Sequence, residues 1–259
     1  EASPARQSSN GPGGRSGALE CPAMQLERIL QKHGFGSRKA CRELVRQGRV
    51  AIAGRVCADP AADIATAGLV FTVDGVAWPY AEFATVLLHK PAGYECSRQP
   101  QHHPSVLALL PPPLRERGLQ PVGRLDADAT GLLLLTDDGQ LNHALASGRR
   151  QVAKVYLVTT KHPLDEQQLQ RLRAGVVLRD DPEPLAAAAC ERLGERRLRL
   201  TITEGRYHQV KRMVAAAGNR VEALHRVAIG GLVLPEDLRV GEWRWLGAAE
   251  LAQLDRGVA

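Results

Sequence analysis

The stretch Gly123–Gly139 reads GRLDADATGLLLLTDDG and places an aspartate, Asp126, just ahead of a strongly apolar run. The run GLLLLT is bounded by turn-forming residues, which predicts a buried β-strand. A lone aspartate can act as a nucleophile when it is ionised and held by a cation, and Arg124 lies two positions upstream. The pattern alone also allows a solvated loop carboxylate, because aspartate is common in turns.

The overall composition indicates a mildly basic globular chain. It has 259 residues, 44% of them apolar, and 34 Lys and Arg against 28 Asp and Glu give a net charge of +6. This charge favours an anionic partner only modestly. The five cysteines show no metal-binding spacing, so we expect free thiols in a reducing cytosol. No apolar run reaches the length of a membrane span and no signal-peptide pattern is present, so we expect a cytoplasmic protein without membrane association.

Composition and periodicity divide the chain into four segments. Residues 1–23 are rich in Gly, Pro and Ser and predict a disordered extension. Residues 24–66 predict a small domain, residues 67–82 a linker, and residues 83–259 a larger domain. In the larger domain, predicted strands and helices mix without a regular βαβ repeat. This predicts an α+β fold on an antiparallel or mixed sheet.

The small domain contains a helix with a one-signed row of charges. Its sequence SRKACRELVRQG predicts a helix that begins after Ser37 and ends at Gly48. Charge runs usually form a solvated face, but such faces mix both signs, and Glu43 is the only acid here. A one-signed row is typical of a nucleic-acid surface, because phosphate binding releases counterions. We call these residues the basic row: Arg38, Lys39, Arg42, Arg46 and Arg49.

The residues after this helix predict a short hairpin with Ala53-Gly54 as its turn. Two helices followed by a hairpin, with the sequence SRKACRELVRQGRVAIAGRV, resemble the S4 RNA-binding domain over residues 24–66. The hairpin turn of that family usually carries Asn-Gly, so this turn departs from the pattern. The resemblance implies that the basic row binds structured RNA.

The larger domain contains five blocks in a fixed order: LHKPAGY, VGRLDADATGLLLLTDDG, KVYLV, EGRYHQVKRM and LHRVAIGGLVL. Behind an S4-like segment, this set resembles the RsuA/RluB/RluE/RluF family of ribosomal RNA pseudouridine synthases, over residues 24–250. The resemblance implies a catalytic domain that isomerises uridine to pseudouridine by base flipping. It also implies that neither a metal nor a small-molecule cofactor is needed.

The resemblance implies roles for individual residues. Asp126 corresponds to the catalytic aspartate, and Arg124 to an arginine that helps to hold the flipped state. Tyr156, in KVYLV, corresponds to the tyrosine that packs against the target base. Lys211, in HQVKRM, corresponds to the basic residue paired with the aspartate, where many relatives have arginine. Without the resemblance, a core aromatic and an exposed helix lysine would be ordinary interpretations of Tyr156 and Lys211.

The chemistry leaves several points open. The reaction breaks the N1–C1′ bond and rejoins the base through C5, so the nucleotide has to be extruded from its stack. An ionised Asp126 could attack C1′, abstract the C2′ proton or add to C6 of the base. Arg206 and His208 could contact RNA or make structural hydrogen bonds.

The substrate is indicated by three short matches. KPAGYECS, HHPSVLALL and the Tyr-His pair of EGRYHQVKRM are similar to the small-subunit branch, which favours 16S rRNA, free or in a ribosomal subunit assembly particle. A site in 23S rRNA stays open as an alternative. So do a non-catalytic rRNA-binding or ribosome-assembly protein and a nucleoside hydrolase. Nothing in the sequence suggests a large self-association surface, so we expect a monomer.

Overall fold

The structure is a computed structural model that describes residues 23–146, 151–179 and 181–254. These residues form two compact units, one of residues 23–30 and 37–80 and one of residues 31–36 and 81–254. The extension predicted for residues 1–23 lies outside the described residues, apart from Ala23, which begins the first strand.

The first unit combines two short sheets with helical segments. Its elements are β1 (Ala23–Gln25), α1 (Leu26–Lys32), α2 (Arg38–Arg46), β2 (Val50–Ile52), β3 (Arg55–Val56), β4 (Asp63–Ala65), β5 (Val70–Val73) and β6 (Val76–Pro79). β1 pairs with β4, and the second sheet has the order β3-β2-β5-β6. The hydroxyl of Ser37 accepts a hydrogen bond from the backbone N–H of Ala40, and Gly48 follows the helix with φ of 69°. The predicted beginning and end of α2 are therefore confirmed.

The linker predicted for residues 67–82 is wrong over most of its length. β5 and β6 lie in this range, and β5 pairs with β2, with Val73 opposite Val50. Phe71 is fully buried and Trp78 is 6% exposed. The physical reason is that the small sheet needs these side chains to form its core. The first unit accordingly extends to Tyr80 rather than to residue 66.

The β2–β3 hairpin contains a strained turn residue. Ala53 has φ of 49° and Gly54 has φ of 75°, the signs of a type I′ turn, for which Asn-Gly is preferred. We expect Ala53→Asn to stabilise the first unit by about 0.5–1 kcal/mol, because asparagine tolerates the left-handed region better than alanine. As a matched control, Gly54→Ala meets no atom within 4 Å and should cost about 1–2 kcal/mol through backbone strain alone. Native-state amide exchange in β2 and β3 measures the stability changes of both variants. Slower exchange in Gly54→Ala than in Ala53→Asn would contradict the type I′ assignment of the turn.

The second unit is built on a large mixed sheet. Its strands are β7 (Thr85–Lys90), β8 (Gln120–Val122), β9 (Thr130–Thr136), β10 (Lys154–Thr160), β13 (Ala189–Gly194), β14 (Arg197–Ile202), β15 (Val221–Ile229), β16 (Leu232–Val233) and β17 (Trp243–Trp245), with a separate pair β11 (Val176–Leu178) and β12 (Asp181–Leu185). The order is β13-β14-β10-β15-β9-β7-β17, with β16 beside β15 and β8 beside β9. β9 and β15 are parallel, and the neighbouring pairs β10–β15 and β7–β9 are antiparallel. The predicted α+β class with a mixed sheet is confirmed.

Helices accompany this sheet, and the predicted strand GLLLLT is its most deeply buried part. The helices are the 3-10 turn Val106–Leu109, α3 (Pro112–Glu116), α4 (Gly139–Ala146), α5 (Glu166–Ala174), α6 (Gln209–Ala216) and α7 (Ala248–Leu251). Leu132, Leu133, Leu134 and Leu135 are all 0% exposed. Burial of the whole run explains why it is continuously apolar instead of alternating.

Candidate active site

Asp126 lies in the loop between β8 and β9, immediately before the buried strand. The start of β9 approaches β15 closely at Gly131, which has φ of 106°. A Cβ atom at Gly131 would lie 2.2 Å from the carbonyl oxygen of Arg226. Only glycine permits this approach, so the parallel pair of strands fixes the end of the loop that carries Asp126.

A buried lysine holds the same loop. Lys90 is 0% exposed, and its ammonium donates hydrogen bonds to the carbonyl oxygens of Pro91 (2.9 Å), Ala127 (3.1 Å) and Ala129 (2.7 Å). Burial lowers the pKa of Lys90, although nearby acidic groups, among them Asp126, act in the opposite direction. The lysine therefore fixes the backbone directly after the aspartate.

We expect Lys90→Met to destabilise the second unit by about 3 kcal/mol or more, because three carbonyl groups, two of them half-buried and one buried, lose their donor. Lys161 is exposed, so Lys161→Met is a matched control that should change stability by less than about 0.5 kcal/mol. Urea unfolding followed by circular dichroism compares the two variants. Wild-type stability in Lys90→Met would show that the carbonyl groups do not depend on the lysine.

Two basic side chains bind the carboxylate of Asp126. Lys211 Nζ lies 3.0 Å from Oδ2, and His208 Nε2 lies 3.2 Å from Oδ1. The Asp126 side chain is 22% exposed, so solvent reaches it only in part. His208 has φ of 47° and ψ of 31°, a left-handed conformation that is costly for a residue other than glycine. Backbone strain is thus located at a residue that contacts the aspartate.

Lys211 is shared between two carboxylates. Its Nζ also donates to Oδ1 and Oδ2 of Asp128, at 2.7 and 2.9 Å. Burial acts to lower the pKa of Lys211, but the hydrogen bonds that its ammonium donates to Asp128 and Asp126 outweigh this effect and the pKa is raised. Burial acts to raise the pKa of Asp128, but Lys211 outweighs it and the pKa is lowered. Lys211 and Asp128 are therefore both charged at neutral pH.

Asp126 lines a cleft of about 1060 Å³, which is large enough for a nucleotide. Tyr156 forms part of the wall and is 6% exposed. Its hydroxyl lies 3.5 Å from Nη1 of Arg226, whose Nε donates a 2.8 Å hydrogen bond to the carbonyl of Leu132. Arg226 is 2% exposed, so the tyrosine is backed by a buried guanidinium. The cleft thus offers an aromatic side chain in the same cavity as the carboxylate.

The other predicted residues of the second unit have distinct positions. Arg124 and Arg206 both line the cleft. Nε of Arg206 lies 2.6 Å from Oε2 of Glu204. Among the residues of the second unit that the structure describes, no hydrogen bond or ion pair joins Arg124 to Asp126. His208 was predicted to bind RNA or to make a structural hydrogen bond, and its imidazole contacts the carboxylate of Asp126 directly.

Two members of the basic row are anchored on a buried acid. Nε of Arg38 lies 2.5 Å from Glu27, and Arg42 also bonds this carboxylate, which is 1% exposed. The pKa of Glu27 is lowered to about 2. The hydrogen bond from Arg42 contributes most to this decrease, burial opposes it, and the hydrogen bond from Arg38 lowers the pKa further. The arginine side chains nevertheless keep 52% and 45% exposure. They can therefore still present charge to a partner.

The remaining members of the basic row are exposed. Arg49 donates hydrogen bonds of 2.7 and 2.6 Å to the two carboxylate oxygens of Asp74. Lys39 and Arg46 lie on the exposed side of α2. Binding of RNA by this row stays a prediction.

In the part of the chain that the structure describes, no three His, Cys, Asp or Glu residues are grouped so that they could hold a metal ion. The helices in this part are also too short and too polar to cross a bilayer. Cys41, Cys57, Cys96 and Cys190 are free thiols.

Comparison with known proteins finds a matching family model for each of the two units. The family model described as RNA pseudouridylate synthase matches residues 84–216, and the S4 domain model matches residues 24–65. Ribosomal small subunit pseudouridine synthase A of Yersinia pestis is 47% identical over 65% of this chain and 71% of its own length. The protein of that name from Haemophilus influenzae is 37% identical over 89% of this chain and 99% of its own.

A solved structure described as a crystal structure of pseudouridylate synthase has a TM-score of 0.63 and 36% identity. The similarity covers 89% of this chain and 99% of that one. The chain therefore belongs to the RNA pseudouridylate synthase family and carries an S4 domain ahead of its catalytic domain.

Proposed function

We propose that this chain isomerises a uridine of 16S ribosomal RNA to pseudouridine, with Asp126 as the nucleophile. The proposal is supported by the contact of the Asp126 carboxylate with Lys211 and His208, at 3.0 and 3.2 Å, and by the position of Asp126 in the wall of a cleft of nucleotide size. Since Lys211 is charged at neutral pH, its ammonium supplies a positive charge 3.0 Å from this carboxylate.

The reaction conserves all atoms of the nucleotide. The N1–C1′ bond breaks, the uracil turns within the cleft and the C5–C1′ bond forms; the base loses the proton on C5 and gains one on N1. Attack on C1′, abstraction of the C2′ proton and addition to C6 all require an ionised Asp126. Exclusion of water by bound RNA would strengthen the effect of Lys211 on each route. The chemistry uses neither a metal nor a small-molecule cofactor.

Tyr156 is proposed to pack against the extruded base. Extrusion costs a few kcal/mol, and stacking on an aromatic side chain returns about 1–3 kcal/mol. The buried Arg226 beside the hydroxyl supports a single position of the tyrosine ring. Arg124, which is exposed and lines the cleft, is proposed to help to hold the flipped state.

The basic row and Arg206 are proposed to bind the flanking rRNA through its phosphates. The substrate is inferred from the relatives named as small-subunit enzymes, each of which shares long stretches with this chain. We infer that a monomer acts in the cytoplasm, on free 16S rRNA or on a ribosomal subunit assembly particle.

Site-resolved pseudouridine mapping on unmodified 16S and 23S rRNA, free and in particles, tests the proposal. One new site in 16S rRNA is the expected result. A site in 23S rRNA would keep the enzyme and overturn the substrate. Release of free uracil would indicate a hydrolase, and no reaction in any form would indicate a non-catalytic RNA-binding protein.

A further inference from the structure

Tyr207 is an exposed aromatic residue in the catalytic cleft for which the chemistry described above has no use. It lines the same cleft as Asp126 and Tyr156, yet it is 67% exposed, whereas Tyr156 is 6% exposed. Single exposed aromatics are ordinary on protein surfaces. This one differs because of what its ring contacts.

The ring of Tyr207 stacks on the imidazole of His208. The two ring centroids are 3.8 Å apart and the planes differ by 18°. His208 Nε2 in turn lies 3.2 Å from Asp126 Oδ1. The backbone carbonyl of Tyr207 accepts a 3.2 Å hydrogen bond from Nη1 of Arg212, which helps to fix the segment. A continuous line of contacts therefore leads from an exposed ring to the catalytic carboxylate.

Another segment that lines the cleft, residues 95–103, is held in place by hydrogen bonds. The carboxylate of Glu95 accepts hydrogen bonds from the backbone N–H groups of Gln101 (3.0 Å), His102 (2.8 Å) and His103 (2.9 Å). These hydrogen bonds lower the pKa of Glu95, and the one from Gln101 has the largest effect. The carboxylate therefore stays ionised at neutral pH and keeps its hydrogen bonds to the loop. This segment lines the same cleft as Tyr207.

We propose that Tyr207 stacks on a base adjacent to the target uridine, and that His208 is a positioning residue that links this stack to Asp126. The inference rests on the proposed function, because it takes RNA as the substrate. Extrusion of the uridine leaves its neighbours without a stacking partner, and an aromatic ring replaces that partner for any base. One face of the Tyr207 ring is covered by His208, and the high exposure of the residue leaves the other accessible.

Variants of Tyr207 distinguish a stacking role of its ring from an effect on folding. We expect Tyr207→Ala and Tyr207→Leu to weaken binding of unmodified 16S rRNA by about tenfold to a hundredfold, because neither side chain has an aromatic face. Tyr207→Phe should bind within about threefold of wild type, since it keeps the ring. Phe83 is also aromatic and 57% exposed but does not line the cleft, so Phe83→Ala is the matched control and should bind as wild type does.

The dissociation constant is measured apart from pseudouridine formation, so two failures can be distinguished. Wild-type protein that binds rRNA but forms no pseudouridine would overturn the proposed function. Wild-type affinity in both Tyr207→Ala and Tyr207→Leu would overturn the stacking role. For the positioning role, His208→Ala should lower kcat with little change in KM, whereas the tyrosine variants should raise KM; an unchanged kcat in His208→Ala would overturn that link.

Discussion

Asp126→Asn should lower pseudouridine formation by at least about 10⁴-fold, the scale seen when a nucleophile is removed. Asparagine has the shape of aspartate but lacks the negative charge that each of the three routes requires. Lys211 keeps its hydrogen bonds to Asp128 in this variant, so the geometry of the cleft should persist. Affinity for rRNA should therefore stay within about threefold of wild type, because the lost group is a single carboxylate.

The variant is tested by pseudouridine mapping on 16S rRNA together with a measured dissociation constant. Asp237 is an exposed carboxylate away from the cleft, so Asp237→Asn is a control for the loss of one negative charge and should remain fully active. Turnover near the wild-type rate in Asp126→Asn would exclude Asp126 as the nucleophile. Loss of rRNA binding together with turnover would instead indicate a disturbed cleft.

Local sequence patterns predicted the elements that are determined by local physics. The four leucines at residues 132–135 are consecutive in the sequence and fully buried, and Ser37 and Gly48 bound α2 through interactions within a few residues. The predicted linker at residues 67–82 failed for the opposite reason. Of its two strands, β5 pairs with β2, more than 15 residues earlier, and β6 is added to the sheet by pairing with β5. Local composition does not indicate the distant partner β2.

The residues of the candidate active site were predicted only where contiguous motifs carried a family resemblance. Lys211 and Asp126 meet across 85 positions of the chain, and no spacing rule predicts such a contact. Lys90 was overlooked because a lysine at the end of an apolar strand is usually exposed, whereas here carbonyl groups from a loop 37 and 39 residues later surround it. Arg226 was overlooked for the same reason, since its partner Leu132 is 94 residues away. Buried polar residues are explained by acceptors that folding brings to them.

Removal of the shared cation should have the second largest effect on catalysis. In Lys211→Met, Asp126 and Asp128 lose the ammonium that lies 3.0 and 2.7 Å from their oxygens. We expect kcat to fall about 10²- to 10³-fold, the usual scale for loss of one electrostatic partner in an active site. Lys211→Arg keeps the charge and should retain activity within about tenfold, because its guanidinium can still bond a carboxylate.

The pH dependence of the single-turnover rate distinguishes an electrostatic role from a structural one. Because the pKa of Lys211 is raised and that of Asp128 is lowered, the wild-type pair is fully charged from mildly acidic to alkaline pH. Without the cation, Asp128 loses the partner that lowers its pKa. The acidic limb of the Lys211→Met profile should therefore move to higher pH, and part of the lost rate should return as pH rises. Lys161→Met, which changes an exposed lysine, should leave the profile unchanged. A uniformly lower rate with the acidic limb at its wild-type pH would mean that Lys211 orders the site without an electrostatic effect on its carboxylates.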